Sequence, residues 1–246
     1  MKKIIEFAYS LIVYVMFLGT FMYAVGFIGN FIVPKSIDSG VEQNTVTALL
    51  INSLLLGLFA MQHSVMARPG FKAHWTKIIP KTIERTTYVL AANLCLILLF
   101  WQWAPLKGIV WDIQTPIVAG FMWALFALGW LIVLVSTFLI NHFDLFGTRQ
   151  TFYPLINKET PSIVFIKKGL YKFCRHPIML GFIIAFFAIP TMSMGHLFFA
   201  AMATGYILIA LIFEERDLEN AHGEHYREYK RTTPKICPFS FSKRAE

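Results

Sequence analysis

Four long apolar runs constrain the fold of this chain more than any other feature of its sequence. They cover residues 7–33, 46–66, 87–104 and 117–140. An α-helix rises about 1.5 Å per residue, so about 20 apolar residues cross a hydrocarbon core of about 30 Å. Apolar residues make up 57% of the chain and charged residues 15%, which is more apolar surface than one soluble core can bury. We therefore predict an all-α integral membrane protein.

A fifth apolar region, residues 178–213, is interrupted by the turn-forming segment 190–196. This pattern predicts two short helices joined by a tight turn, a helical hairpin that either crosses the membrane or re-enters it from one side. The chain then has five to six transmembrane helices. Amphipathic helices of the polar tail are expected to lie along the membrane surface. We expect one multi-pass membrane domain over residues 1–246, with four spans in 1–140 and the loop, hairpin and tail in 141–246.

The positive charges predict the orientation of the chain in the membrane. All but Lys35 and Lys107 of the 22 Lys and Arg residues lie at the N-terminus, in two long loops or after the hairpin. The positive-inside rule places these segments and both termini in the cytoplasm, and Trp101, Trp103 and Trp111 mark the opposite interface. The first apolar run exceeds the core of a signal peptide, so we expect a retained helix. The net charge of +8 fits loops near anionic lipid, and we predict no nucleic-acid partner.

Two polar segments border the fifth apolar region and would meet at the same membrane face. In the first segment, Pro177 suits the first turn of a helix, where its missing N–H is not needed. Tyr171, Arg175 and His176 would then gather at the N-terminus of that helix, which favours a bound carboxylate. The alternative is a juxtamembrane anchor whose Arg and Tyr side chains lie among the lipid headgroups.

The second polar segment begins with the adjacent carboxylates Glu214 and Glu215. Two carboxylates beside lipid are unfavourable unless they are solvated or paired. They are suited to hold a cation, an ammonium group or ribose hydroxyls. The alternative is a helix that emerges into water, with Arg216 and Asp217 continuing its solvated face.

A third group of polar side chains lies at the cytoplasmic ends of the second and fourth spans. His142 and Asp144 follow the fourth span, and their spacing suits a base and its orienting partner. Arg149 lies in the same loop, and His63 ends the second span at the same depth. Such groups also serve as caps or as hydrogen-bonding contacts between helices. A lone His-x-Asp pattern does not indicate a metal, and we predict no metal site.

Several of these residues carry a family resemblance. The matching positions are Gly169, Leu170, Tyr171, Arg175, His176, Pro177, Gly181, Glu214, Glu215, Leu218, Gly223, Tyr226, Tyr229 and Pro234. Together they resemble the isoprenylcysteine carboxyl methyltransferase superfamily, whose members are membrane enzymes that bind S-adenosylmethionine with their C-terminal third. One departure is Met179, which stands where that superfamily usually has an aromatic residue.

Stretches elsewhere in the chain narrow the resemblance. Residues 34–40, 62–69, 84–85, 141–150, 195–200 and 214–218 are similar to the bacterial, nurim-like group of that superfamily over nearly the full length. This resemblance implies methyl transfer from S-adenosylmethionine to a small volatile thiol, methanethiol, giving dimethyl sulfide, in a bacterial inner membrane. Two alternatives stay open: another acceptor, such as a prenylcysteine carboxylate or a larger thiol, and a non-enzymatic nurim-like membrane protein.

The resemblance also implies roles for individual residues. The expected contacts of S-adenosylmethionine are Tyr171, Arg175, His176, Pro177, Glu214, Glu215 and Arg216. A thiol is mostly protonated at neutral pH and reacts as the thiolate, so a base or a cation near the acceptor is expected. The candidates for that role are His63, His142 and Arg149, with Asp144 as the orienting partner of His142; these assignments are a hypothesis from the residues.

Overall fold

The computed structural model describes residues 1–161 and 167–236. Its α-helices, in chain order, are α1 Lys2–Gly29, α2 Thr45–Ala67, α3 Pro69–Trp75, α4 Lys81–Gln102, α5 Pro116–Ile140, α6 His142–Leu145, α7 Thr148–Leu155, α8 Pro177–Phe187, α9 Met194–His222 and α10 Glu224–Thr232. A short 3₁₀ helix spans Gly169–Lys172, and two short strands, β1 Ile109–Asp112 and β2 Thr191–Ser193, form a two-stranded sheet.

Five helices, α1, α2, α4, α5 and α9, are long and apolar enough to cross a membrane. Each of the four predicted runs forms one of them, and the protein is an all-α, multi-pass membrane protein. An α-helix satisfies its backbone hydrogen bonds within itself, which makes it suited to a lipid environment.

The predicted hairpin differs from expectation in its second arm. The first arm, α8, has 11 residues, whereas α9 has 29 and continues through the polar segment 214–222 to His222. That segment holds good helix formers such as Glu, Arg and Leu and no Gly or Pro, so the helix does not end where the hydrophobicity ends. Glu214 and Glu215 therefore lie inside a helix, about two turns before its end.

The chain forms two compact units, of which the first comprises Met1–Gly108, His142–Ser162 and Ser193–His196. Helices α1 and α2 pack on α4, and α1 also packs on α7. Asn52 on α2 both donates to and accepts from the backbone of Ala104, at 2.8 and 2.9 Å, which satisfies its polar side chain between apolar helices. Val13, Tyr88 and Val89 form a buried apolar cluster between α1 and α4.

The second unit comprises Ile109–Asn141, Ile163–Met192 and Leu197–Glu246. Its main packing is between α5 and α8, whose backbones are in close contact at two glycines. A Cβ atom on Gly129 would lie 2.7 Å from the Gly181 carbonyl oxygen, and one on Gly181 would lie 2.6 Å from that of Gly129. Small residues at such positions let helix backbones approach in a membrane. This contact sets the position of α8, and hence of the residues at its N-terminus.

The substitution Gly129→Ala tests this contact. We expect it to destabilise the protein by about 1–3 kcal/mol, because the added methyl group meets the backbone of α8. Gly120→Ala on the same helix is the matched control, since a Cβ atom there meets nothing within 4 Å. The measurement is the melting temperature of each variant in detergent. Equal melting temperatures for the two variants would contradict the close packing of α5 and α8.

Candidate functional site

The N-terminus of α8 forms the centre of a polar cluster in the second unit. Pro177 occupies the first turn, as predicted, and the Leu180 N–H donates to the His176 carbonyl to start the helix. The backbone N–H groups of Arg175 and His176 donate to the carbonyls of Pro234 and Lys235, at 2.9 and 3.1 Å. These two hydrogen bonds hold the segment that follows α10 beside the start of α8.

A buried ion pair joins the segment just before α8 to α9. Arg175 Nε and Nη2 lie 2.8 and 2.7 Å from Glu215 Oε1, and both side chains are only 7% exposed. Arg175 Nη1 also donates to the carbonyls of Lys230, at 3.1 Å, and Thr233. Lys235 Nζ lies 3.3 Å from Glu215 Oε2. The guanidinium and the carboxylate thus find their partners inside the protein.

Glu214 is the accessible carboxylate of the cluster, and the buried His176 side chain lies beside it. His176 Nε2 lies 3.2 Å from Glu215 Oε1, and its Nδ1 lies 4.0 Å from Glu214 Oε2. The Glu214 side chain is 45% exposed, against 7% for its neighbour Glu215. A carboxylate in this setting can accept hydrogen bonds from hydroxyls or pair with an ammonium group. Arg216 is also exposed, and its guanidinium lies over the Phe213 ring at 5.8 Å.

Two tyrosine side chains, Tyr171 and Tyr229, lie beside this cluster. Tyr229 Oη donates to the Tyr171 carbonyl at 2.6 Å, and Tyr171 Oη donates to the Ser136 carbonyl at 3.5 Å. Burial, with a smaller contribution from the nearby Glu214 carboxylate, raises the pKa of Tyr171. Burial likewise raises the pKa of Tyr229. Both phenols therefore stay neutral and can act as hydrogen-bond donors at physiological pH.

A second group of candidate residues lies in the first unit around His142. Its Nε2 lies 2.8 Å from Tyr14 Oη, and the Phe143 and Phe146 rings lie 5.4 and 4.8 Å from its ring. Burial lowers the pKa of His142, so its ring is neutral at physiological pH.

The other loop candidates lie close to His142 in sequence and pair with each other. Arg149 Nη1 lies 3.9 Å from Asp144 Oδ1. Burial raises the pKa of Asp144, while the positive charges of Arg149 and Arg85 oppose that shift. Gln150 donates to the Asp144 backbone carbonyl at 3.1 Å, which closes the turn before α7.

His63 has its own partner in the same unit. Its Nε2 lies 2.8 Å from Tyr88 Oη on α4, and the Phe59 ring stacks on the imidazole at 5.2 Å. The Arg85 guanidinium lies over the Tyr88 ring at 4.8 Å and donates from Nε to the Leu145 carbonyl at 2.8 Å.

The structure thus divides the predicted site residues into groups within the two units. The second unit holds the cluster of Tyr171, Arg175, His176, Pro177, Glu214 and Glu215. The first unit holds His63, His142, Asp144 and Arg149. Within the described residues, no group of three or more His, Cys, Asp or Glu side chains is arranged to hold a metal ion.

Sequence reasoning missed the partners of these residues. Tyr14 and Tyr88 hold the two histidines, and Lys235 contacts Glu215. A polar side chain inside an apolar span is a candidate functional residue. Tyr14 is such a side chain in the first span, so the sequence alone could have indicated it. Lys235 gave no such signal, because a basic residue in a polar tail is most simply a solvated one.

Comparisons with known proteins identify the family to which the chain belongs. The model of the family described as NnrU protein matches residues 50–232. A protein named methanethiol S-methyltransferase from Mycobacterium tuberculosis is 49% identical over 97% of this chain and 98% of its own length. One of the same name from Crocosphaera subtropica is 50% identical over 94% of this chain and 91% of its own. The chain belongs to the NnrU family, in the group of the methanethiol S-methyltransferases.

The similarity extends to eukaryotic members of this family group. The mouse protein named nurim is 24% identical over 76% of this chain and 74% of its own length. The predicted resemblance to the nurim-like group is therefore confirmed. No solved structure matches the chain.

Removing one partner of the buried ion pair should unfold this part of the protein. We expect Arg175→Gln and Glu215→Gln each to lower the free energy of unfolding by about 3–5 kcal/mol, because each leaves a buried charge without its partner. Arg227→Gln is the matched control, since it breaks the exposed pair with Glu224, for which about 0–1 kcal/mol is expected. Denaturant unfolding in detergent measures all three. A loss at Arg175 no larger than at Arg227 would contradict the structural role of the pair.

Proposed function

We propose that this protein transfers a methyl group from S-adenosylmethionine to methanethiol, giving dimethyl sulfide, at the cytoplasmic face of a bacterial inner membrane. The observation that carries the proposal is the near-full-length similarity, 49% and 50% identity, to proteins named methanethiol S-methyltransferase. The cytoplasmic orientation rests on the Lys and Arg residues, which crowd into alternate connections.

The cluster at the start of α8 has the chemistry to hold the methyl donor. Glu214 offers a half-exposed carboxylate for ribose hydroxyls or an ammonium group, and Arg216 offers an exposed positive charge for a carboxylate. His176 and Tyr171 border the same carboxylate. We assign Arg175 and Glu215 to holding these residues in place, since their charges are paired with each other.

The donor, when bound, supplies an electrophilic methyl group on a sulfonium sulfur. The displacement needs little covalent help from the protein, so its residues act by orienting the reactants and excluding water. Aromatic rings attract a cationic group by about 0.5–2 kcal/mol, which suits a site rich in tyrosine. A small apolar thiol can reach a membrane enzyme through the bilayer, and this gives a reason for the reaction to take place there.

Four further residues are candidates for the acceptor side of the reaction. His63, His142 and Arg149 are the candidates for generating or stabilising the thiolate, with Asp144 beside Arg149. Both histidines have a tyrosine partner that fixes their rings. A fixed neutral imidazole is suited to accept a proton from a thiol.

Glu214→Gln tests the donor site and the reaction together. Membranes containing each variant receive S-adenosylmethionine and methanethiol, and headspace gas chromatography measures dimethyl sulfide. We expect about tenfold or greater weakening of donor binding and a matching loss of product at low donor concentration, because a charge-assisted hydrogen bond is lost. Glu224→Gln, which changes an exposed carboxylate on α10, should behave as the wild type.

Other outcomes of this experiment point elsewhere. A wild-type protein that binds S-adenosylmethionine but forms no dimethyl sulfide has another methyl acceptor. A wild-type protein that neither binds the donor nor forms product contradicts the proposed function and favours a non-enzymatic membrane role.

A further inference from the structure

His63 has two ring nitrogens in different environments. Nε2 is engaged with Tyr88 Oη at 2.8 Å. Nδ1 is buried and has no hydrogen-bond partner among the residues that the structure describes, and the same holds for Oε1 of the neighbouring Gln62. Buried polar atoms almost always have partners, so such an exception points to a ligand that supplies one. Gln62 Oε1 is an acceptor, and His63 Nδ1 is one when the ring proton is on Nε2, which fits a small ligand with a hydrogen-bond donor.

The surroundings of His63 narrow the chemistry of that ligand. The Phe59 ring stacks on the imidazole with an interplanar angle of 25°, which provides an apolar wall. On α4, the Arg85 guanidinium lies over the ring of Tyr88, the residue that His63 contacts. An apolar wall with a cation nearby suits a group that enters neutral and becomes an anion. A small alkyl thiol has these properties, since a cation beside it favours the thiolate.

His142 is less suited to accept this proton. The Nε2 atom of its ring is engaged with Tyr14, and the ring lies among the aromatic side chains of Phe143 and Phe146. His63 has a tyrosine contact of the same kind, and what favours it is its Nδ1 atom, which is buried and has no hydrogen-bond partner among the described residues.

We propose that His63 accepts the thiol proton at Nδ1 and that Tyr88 is the positioning residue that holds its ring; this rests on the proposed function. In this arrangement Nε2–H donates to Tyr88 Oη, which leaves the lone pair on Nδ1. The S–H bond breaks and its proton moves to Nδ1. The thiolate sulfur then forms the new S–C bond as the sulfonium C–S bond breaks, and that electron pair stays on the donor sulfur. The imidazolium finally releases its proton to water, one for each turnover.

The test compares Tyr88→Phe with Tyr9→Phe. Tyr88→Phe keeps the ring under Arg85 and removes the hydroxyl that contacts His63. Tyr9→Phe is the matched control. The Tyr9 hydroxyl, on α1, donates to Thr87 at 3.2 Å, and Thr87 precedes Tyr88 on α4. We expect kcat to fall about tenfold in Tyr88→Phe and about a hundredfold or more in His63→Gln, the range of general-base catalysis. The KM for S-adenosylmethionine should stay unchanged in both, and Tyr9→Phe should match the wild type.

Each other outcome has a separate meaning. A wild-type protein without thiol methylation contradicts the proposed function and removes the basis of this inference. A wild-type protein that is active, with Tyr88→Phe and Tyr9→Phe alike in kcat, overturns the role of Tyr88. Full activity of His63→Gln overturns the role of His63. A raised donor KM with unchanged kcat in Tyr88→Phe would indicate a structural effect and also overturn the proposal.

Discussion

The candidate donor site depends on the buried ion pair between Arg175 and Glu215. Removing two charges from water is unfavourable by several kcal/mol per ion, so such a pair persists only where further hydrogen bonds complete it. The carbonyls of Lys230 and Thr233 and the ammonium of Lys235 supply those bonds. One interaction thereby fixes the start of α8, the polar part of α9 and the segment after α10, which are far apart in sequence.

This arrangement separates structural support from ligand recognition among the three adjacent charged residues of α9, Glu214, Glu215 and Arg216. Arg175 and Glu215 are buried and bonded to each other and to further groups of the protein, whereas Glu214 and Arg216 flank Glu215 on α9 and stay accessible. Successive residues on a helix point about 100° apart, so neighbours in sequence can serve opposite purposes. Of the two adjacent carboxylates, Glu215 therefore points into the protein and Glu214 points outward.

Much of this fold could be predicted from the sequence, because membrane spans are set by local composition. The four apolar runs, the helix that begins at Pro177 and the proximity of His176 to Glu214 all followed from the pattern. The length of α9 was not predicted, since the helix continues for as long as the residues favour it and does not stop at the edge of the apolar run. The pairing of His63 with Tyr88, and of His142 with Tyr14, depends on which helices pack together. That information lies in tertiary packing, such as that of α2 on α4 and of α1 on α7, which no single segment encodes.

The most direct test of the account follows the methyl group itself. Membranes containing the wild-type protein would receive unlabelled methanethiol and S-adenosylmethionine with a trideuterated methyl group. Mass spectrometry would then measure the mass of the dimethyl sulfide. If the protein catalyses this transfer, the product carries the trideuterated methyl group, is about three mass units heavier than unlabelled dimethyl sulfide and forms only with the protein present. Unlabelled product, or labelled product that forms equally in membranes lacking the protein, would contradict it.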